Sequence, residues 1–289
     1  MIFQLENIEF LSTVFGYRRL VFSPFIPPLV KYGNQWRFEN TSDSIGNCSF
    51  FNSLKSKNLK ELGKGFNKVV FKDSFENVAI KKISFSGNSF VTCMDNADGN
   101  FKSEFDCIET AARGFITEIG LMLSLQGDPN VPKLYAYCIP LDFVLEAESL
   151  SSATSVGEPL DVIHLAQSDW KNRVKIIDEI LKFLKRTKPL VFNDLRRQQF
   201  VLIENHPTLV DFDDVGFIPL ENQRRSDFYD YGNDAVVRRL YSAFIDGLLF
   251  QSNPPGTEES LKELKKAYEN STLTLEKLTD ISSKLRNFI

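Results

Sequence analysis

Hydrophobic positions in this chain follow a strand period early and a helix period late. Leu59–Lys72 reads as strand, glycine-containing turn and strand, and Val78–Ile83 as a further strand of β-branched residues between polar flanks. Phe85–Asn100 is rich in Gly, Asn, Ser and Asp and reads as a loop. From Lys102 the apolar positions Ile108, Ala111, Phe115, Ile119, Met122 and Leu123 recur at helical spacing, until Asp128-Pro129-Asn130 ends the run. Lys133–Cys138 and Asp142–Glu146 read as two more strands, and Glu148–Glu158 as a serine-rich linker. Ser168 then stands as an N-cap before a helix with Trp170, Val174, Ile177, Leu181 and Leu184 on one face. A hairpin follows, with Phe200–Ile203 and Thr208–Val210 as its apolar runs. Residues 218–233 are polar and aperiodic. Asp234–Phe250, Glu258–Asn270 and Leu273–Phe288 read as helices, with Pro254-Pro255 breaking the first from the second.

Strands followed by helices predict an α+β fold in two lobes: a small β-rich lobe with one helix over 57–149, and a mainly helical lobe over 150–289. Residues 1–56, with Pro24, Pro27, Pro28 and the polar stretch Glu39–Asn47, read as an irregular extension wrapping the domain, not a domain itself.

Composition narrows the classes. At 289 residues, 43% hydrophobic and 25% charged, the chain has ample material for a core. A net charge of -4 argues against general nucleic-acid binding. No apolar run reaches the about 18 residues that a membrane span needs. The N-terminus, Met1-Ile2-Phe3-Gln4-Leu5-Glu6, has no basic region and no clean apolar core, so a signal peptide is not evident. Cys48, Cys93, Cys107 and Cys138 contain no closely spaced pair of the zinc type; they suit either two disulfides or buried thiols. Short N-glycosylation patterns begin at Asn40, Asn47 and Asn270.

Candidate chemistry is ordered along the chain. Gly63 and Gly65 sit in the turn between two strands, where missing Cβ atoms let backbone N–H groups approach phosphate oxygens. An ordinary hairpin turn would look the same. Val78-Ala79-Ile80-Lys81 ends an apolar strand with a cation suited to α/β-phosphates; a surface lysine on an edge strand is the plainer use. Glu118 borders the apolar stripe of a helix and wants a cationic partner, for which Lys81 is the natural candidate. Glu104 and Glu109 fit a solvated helix face. Asp194, in Phe192-Asn193-Asp194, would accept a proton from an acceptor hydroxyl, and Arg196 would face a γ-phosphate with its planar fork. Gln199 offers a carbonyl and Asp211, in Asp211-Phe212-Asp213, a carboxylate to a divalent metal. Asp213 or Asp214 could add another. Singly, each Asp could be a turn cap. Together and in this order, these residues form the pattern of a phosphotransferase.

On these residues the chain resembles the protein kinase-like superfamily, and within it the secreted vertebrate lonesome kinase (protein kinase domain-containing, cytoplasmic) family. The resemblance spans roughly 57–285. It rests on the Gly63–Val69 turn, on 129–138 and 159–170, most specifically on Asp194–Ile203 and Val210–Asp214, and on Arg239–Phe244. It implies a two-lobed kinase fold that uses ATP with Mg²⁺ or Mn²⁺ to phosphorylate tyrosine on secreted or extracellular proteins. It also implies residence in the Golgi lumen and outside the cell. Lys81 paired with Glu118 would position ATP, Asp194 would be the catalytic base and Asp211 the metal ligand. The absence of His-Arg before Asp194 and of Gly after Phe212 is shared with that family. The same breaks motivate two alternatives, a catalytically inactive pseudokinase that binds nucleotide or protein, and a kinase of glycan hydroxyls.

Overall fold

Five strands between Leu59 and Ser155 build one sheet, and its register decides which side chains meet. The computed structural model describes residues 25–54, 58–65, 67–160, 167–188, 190–217, 236–246 and 249–288. Residues 1–24, Phe66 of the glycine turn, 161–166 of the motif ending at Trp170, and 218–233 lie outside these. So do the start of the helix placed at Asp234 and, later in it, Gly247 and Leu248. The chain divides into two compact units, Met1–Val156 and Gly157–Ile289. No helix among the described residues is long and apolar enough to cross a membrane.

In the first unit, β1 (Leu29–Tyr32) and β2 (Gln35–Phe38) form a hairpin, followed by a short helix α1 (Cys48–Asn52). The residues expected to be an irregular extension thus carry regular structure. The main sheet is antiparallel, ordered β3 (Leu59–Lys64), β4 (Lys68–Asp73), β5 (Val78–Ile83), β7 (Ser151–Ser155), β6 (Leu134–Cys138). Val78, Ile80, Ala136 and Ala153 are buried on one cluster that Phe50, Phe51, Leu54, Leu59 and Phe71 cover. Helix α3 (Phe101–Ser124) starts at Asn100, whose side chain accepts from the Ser103 amide at 3.1 Å. Gly120 on this helix lies so close to the hairpin and the residues leading into it that a Cβ would stand 2.6 Å from Ile26 Cγ2 and 3.0 Å from Phe38 Cζ.

Three expectations change here. The strand expected at Asp142–Glu146 is a turn, in which the Asp142 side chain accepts from the Leu145 amide at 3.0 Å. The strand that completes the sheet is Ser151–Ser155, expected to be linker. It lies between β5 and β6, with Ser151, Ser152 and Ala153 at most 1% exposed. Its backbone is satisfied on both sides, so small polar side chains suffice there. Within the stretch expected to be loop, Asn88–Ala97 forms a second helix, α2, so this unit has more than one.

All four cysteines pair, Cys48 with Cys138 across 90 residues and Cys93 with Cys107 across 14. The first joins α1 to β6, and the second joins α2 to α3. Closing a long loop restricts the unfolded chain more than closing a short one. Replacing both cysteines of the first pair by serine should therefore cost roughly 4–5 kcal/mol, against roughly 3 kcal/mol for the second pair. Denaturant unfolding of the two double variants checks the order.

The second unit holds α4 (Trp170–Arg186), capped by Asp169 and not by Ser168, since Asp169 accepts from the Asn172 amide at 2.8 Å. Strands β8 (Glu158–Pro159), β10 (Phe200–Ile203) and β11 (His206–Leu209) form one small sheet in the order β11-β10-β8. Strand β9 (Leu190–Phe192) pairs with β12 (Val215–Phe217). Helices α5 (Glu258–Glu269) and α6 (Leu275–Leu285) close the unit. Between them and the strands, Val236–Leu240 is helical and widens into a π-helical turn at Tyr241–Ile245.

Candidate active site

The candidate residues fall into two groups, one in each unit. In the first, side chains on β5 alternate between faces, which sets Lys81 on the same face as Ile83. Ile83 pairs with Lys68 across the β4–β5 ladder, so Lys68 and Lys81 share that face as diagonal neighbours. Both ammonium groups reach Glu118, Lys81 to Oε1 and Lys68 to Oε2. Glu118 is 1% exposed and sits among Phe115, Ile116 and Ile119 on the buried face of α3. Burying a carboxylate there is tolerable only with cations bonded to it. The expected Lys81–Glu118 pair is present. Lys68, quoted above only as part of the glycine turn, joins it; the hairpin register would have placed it.

Gly63 and Gly65 lie at the exposed end of the β3–β4 hairpin, where the Gly65 amide donates to the Lys68 carbonyl at 2.7 Å. A Cβ at Gly63 would meet nothing within 4 Å, so the space above the strand end is open. Glu109, expected on a solvated face, is instead buried and paired with Arg113 one turn on. Burial is the main cause that pushes its carboxyl above the usual range, with Arg113 acting in the opposite direction.

In the second unit, Asp194 follows β9 in a loop fixed at both ends. The Asn193 amide donates to the Asp214 carbonyl at 3.0 Å, and the Val210 amide to the Gln199 carbonyl at 2.8 Å. These links bracket Asp211, which is half-buried two residues beyond β11. Phe212 beside it is fully buried, and its ring lies 6.3 Å from that of Phe192 in an edge-on arrangement. Apolar packing thus anchors the position where His is usual in kinases.

Asp194 is held through one oxygen. Its Oδ2 accepts from the Arg196 guanidinium and from Gln199 Nε2, the latter at 2.7 Å. Among the described residues Oδ1 has no partner, and the side chain is 30% exposed. Gln199 is buried, and its Oε1 accepts from the Arg196 backbone amide at 3.3 Å. The carbonyl expected to face a metal therefore also closes the loop, and a carbonyl has a second lone pair to offer. Arg196, expected on a γ-phosphate, here bonds Asp194.

No three His, Cys, Asp or Glu side chains among the described residues cluster as a ready cation site. This donor set still suits Mg²⁺, which is commonly held by one or two carboxylates together with substrate phosphates and not by an all-protein cage. Within the first unit two lysines are gathered on one buried carboxylate, and within the second one carboxylate oxygen is left open.

A glycine-turned antiparallel sheet with a lysine–glutamate pair, and a helical unit with an anchored Asp loop, are compatible with a two-lobed kinase-like fold, and similarity to a known protein supports a family relationship at that level. The relationship rests on similarity to the human extracellular tyrosine-protein kinase PKDCC: 30% identity over 162 residues, covering 53% of this chain and 32% of the relative. The chain thus spans about a third of that relative's length. No family model matches it.

Proposed function

We propose that this chain is an ATP-dependent protein kinase that phosphorylates tyrosine hydroxyls of secreted or extracellular proteins. The observation that carries the reading is the Asp194 carboxylate, clamped through Oδ2 and open at Oδ1. In this reading the tyrosine oxygen attacks the γ-phosphorus of ATP, the bond to the bridging oxygen breaks, and ADP leaves. The phenolic proton passes to Asp194 Oδ1. Lys81, oriented by Glu118, binds the α/β-phosphates, and the Gly63–Gly65 turn covers them with backbone amides. Arg196 can turn from Asp194 toward the transferring phosphoryl group without losing its charge. Asp211, with Gln199, would hold Mg²⁺ or Mn²⁺, which neutralises charge on the phosphates when bound.

Two features support a secretory setting, the Golgi lumen and the space outside the cell. Both disulfides require an oxidising compartment, and the human relative is named extracellular. Asn40 and Asn270, which open two of the glycosylation patterns, are exposed.

The test is a thermal melt and a transfer assay on protein made through a secretory pathway. ATP with Mg²⁺ at about 100 times its Kd should stabilise the fold by about 2.7 kcal/mol. Label should then pass from γ-labelled ATP to a tyrosine peptide, and not to a glycan acceptor. Lys81→Met should abolish both effects. A shift without transfer would establish a nucleotide-binding module instead, and no shift would end any nucleotide role.

A further inference from the structure

A groove of about 490 Å³ opens beside Asp194 in the second unit, and its charge is unlike that of the chain as a whole. Arg196, Arg197, Arg238 and Arg239 line it, whereas Asp194 is the only acid among the described residues of the lining. That acid already accepts from Arg196 and Gln199. Among the described residues no carboxylate pairs with Arg197, Arg238 or Arg239. This concentration of cations occurs in a chain of net charge -4.

One wall is rigid. The Tyr241 and Tyr268 rings stack with centroids 3.9 Å apart, and the Arg238 guanidinium lies over the Tyr268 ring at 5.1 Å. The Arg238 Nη1 also donates to Ser271 Oγ at 2.7 Å, while the Ser242 and Tyr268 hydroxyls bond at 3.1 Å. The backbone behind this wall is the π-helical turn, in which the Asp246 amide reaches the Tyr241 carbonyl at 2.8 Å. Such turns often mark functional positions, because they push side chains out of ordinary helical register. Burial, followed by Asp246 and Glu269, pushes the Tyr241 phenol up to about 12, so this one ring stays neutral.

We infer that the groove selects acceptor polypeptides by their acidic side chains: Arg197 and Arg239 bind a glutamate or aspartate flanking the acceptor hydroxyl. Planar guanidinium forks fit carboxylates bidentately, and a rigid stacked wall lowers the ordering cost of holding them. Asp194 at the rim puts the groove within a few residues' reach of the reacting oxygen. The inference rests on the kinase reading for its reaction, but the binding step stands apart from it.

The experiment uses peptides with one tyrosine flanked by glutamate, by glutamine or by lysine. A second set, with phenylalanine for tyrosine, reports binding by fluorescence anisotropy whether or not transfer occurs. The glutamate peptides should bind and react about 10-fold better than the glutamine ones, and lysine peptides worse than both. Raising the salt should shrink the preference. Arg197→Gln and Arg239→Gln should each reduce glutamate peptides toward the glutamine level. Their melting temperature, rate on the glutamine peptide and KM for ATP should stay at wild-type values. Equal anisotropy affinities for glutamate and glutamine peptides in the wild type would overturn the inference. So would a rise in the KM for ATP in the arginine variants, which would assign the groove to nucleotide phosphates. Acidic preference in anisotropy with no transfer would retain the groove and reject the kinase.

Discussion

Asp194→Asn should lower phosphoryl transfer by about 10²–10⁴-fold, the usual contribution of a positioned general base. The asparagine amide keeps the shape of the side chain but cannot take the phenolic proton. Its carbonyl oxygen can still accept from Gln199 Nε2. The loop itself is tied by backbone bonds at Asn193 and Val210, which the substitution leaves alone. The fold should therefore survive, with a melting temperature near wild type. ATP binding, measured by thermal shift, should also persist. Wild-type turnover in Asp194→Asn would remove this carboxylate from the mechanism.

Glu118→Ala should show the reverse pattern, with the fold failing along with the activity. Glu118 is 1% exposed, and Lys68 and Lys81 both bond its carboxylate from inside the same pocket. Taking one partner from a buried ion pair costs about 3–5 kcal/mol, since the remaining charge has been desolvated without its counterion. Here one truncation removes the carboxylate from two ammonium groups. Lys68→Met or Lys81→Met should cost less, because the other lysine still bonds Glu118. Denaturant unfolding of the three variants gives the order. A Lys68→Met, Glu118→Ala double variant should fall short of the sum of its parts, because the two residues touch. Strict additivity would mean that the contact carries no coupling.

These predictions rest on elements with unequal signatures in the sequence. The β3–β4 hairpin, the strand bearing Lys81, the helix bearing Glu118 and the β10–β11 hairpin are each marked by apolar periodicity or turn residues, and they form where expected. Ser151–Ser155 carries no such mark. A central strand of small polar residues is held by its neighbours' backbones, and that support is not local to its own sequence. Helix Asn88–Ala97 is similarly faint, as only Phe90 and Ala97 are buried. Its cross-link to Cys107 is a long-range fact. Within the candidate site, Lys81, Glu118 and Asp194 were legible because their spacing matches a known constellation. Lys68 and the groove arginines other than Arg196 become visible only through register and tertiary packing, which bring residues such as Arg197 and Arg239 together from distant parts of the chain.

A five-stranded sheet has two margins, and bare margins recruit other strands. On one side, β6 is not left bare. Gly46 pairs with Ala136 in parallel fashion, its amide donating to the Tyr135 carbonyl at 2.7 Å while the Tyr137 amide donates back to Gly46 at 3.2 Å. The Cys48–Cys138 bond fastens that cover. On the other side, β3 is exposed but carries Lys60, Glu61 and Lys64, whose charges oppose stacking against a second chain. The Gly46–Cys48 stretch therefore guards that margin against self-association. Shortening the chain there would give up a nucleation barrier to aggregation as well as a piece of wrapping.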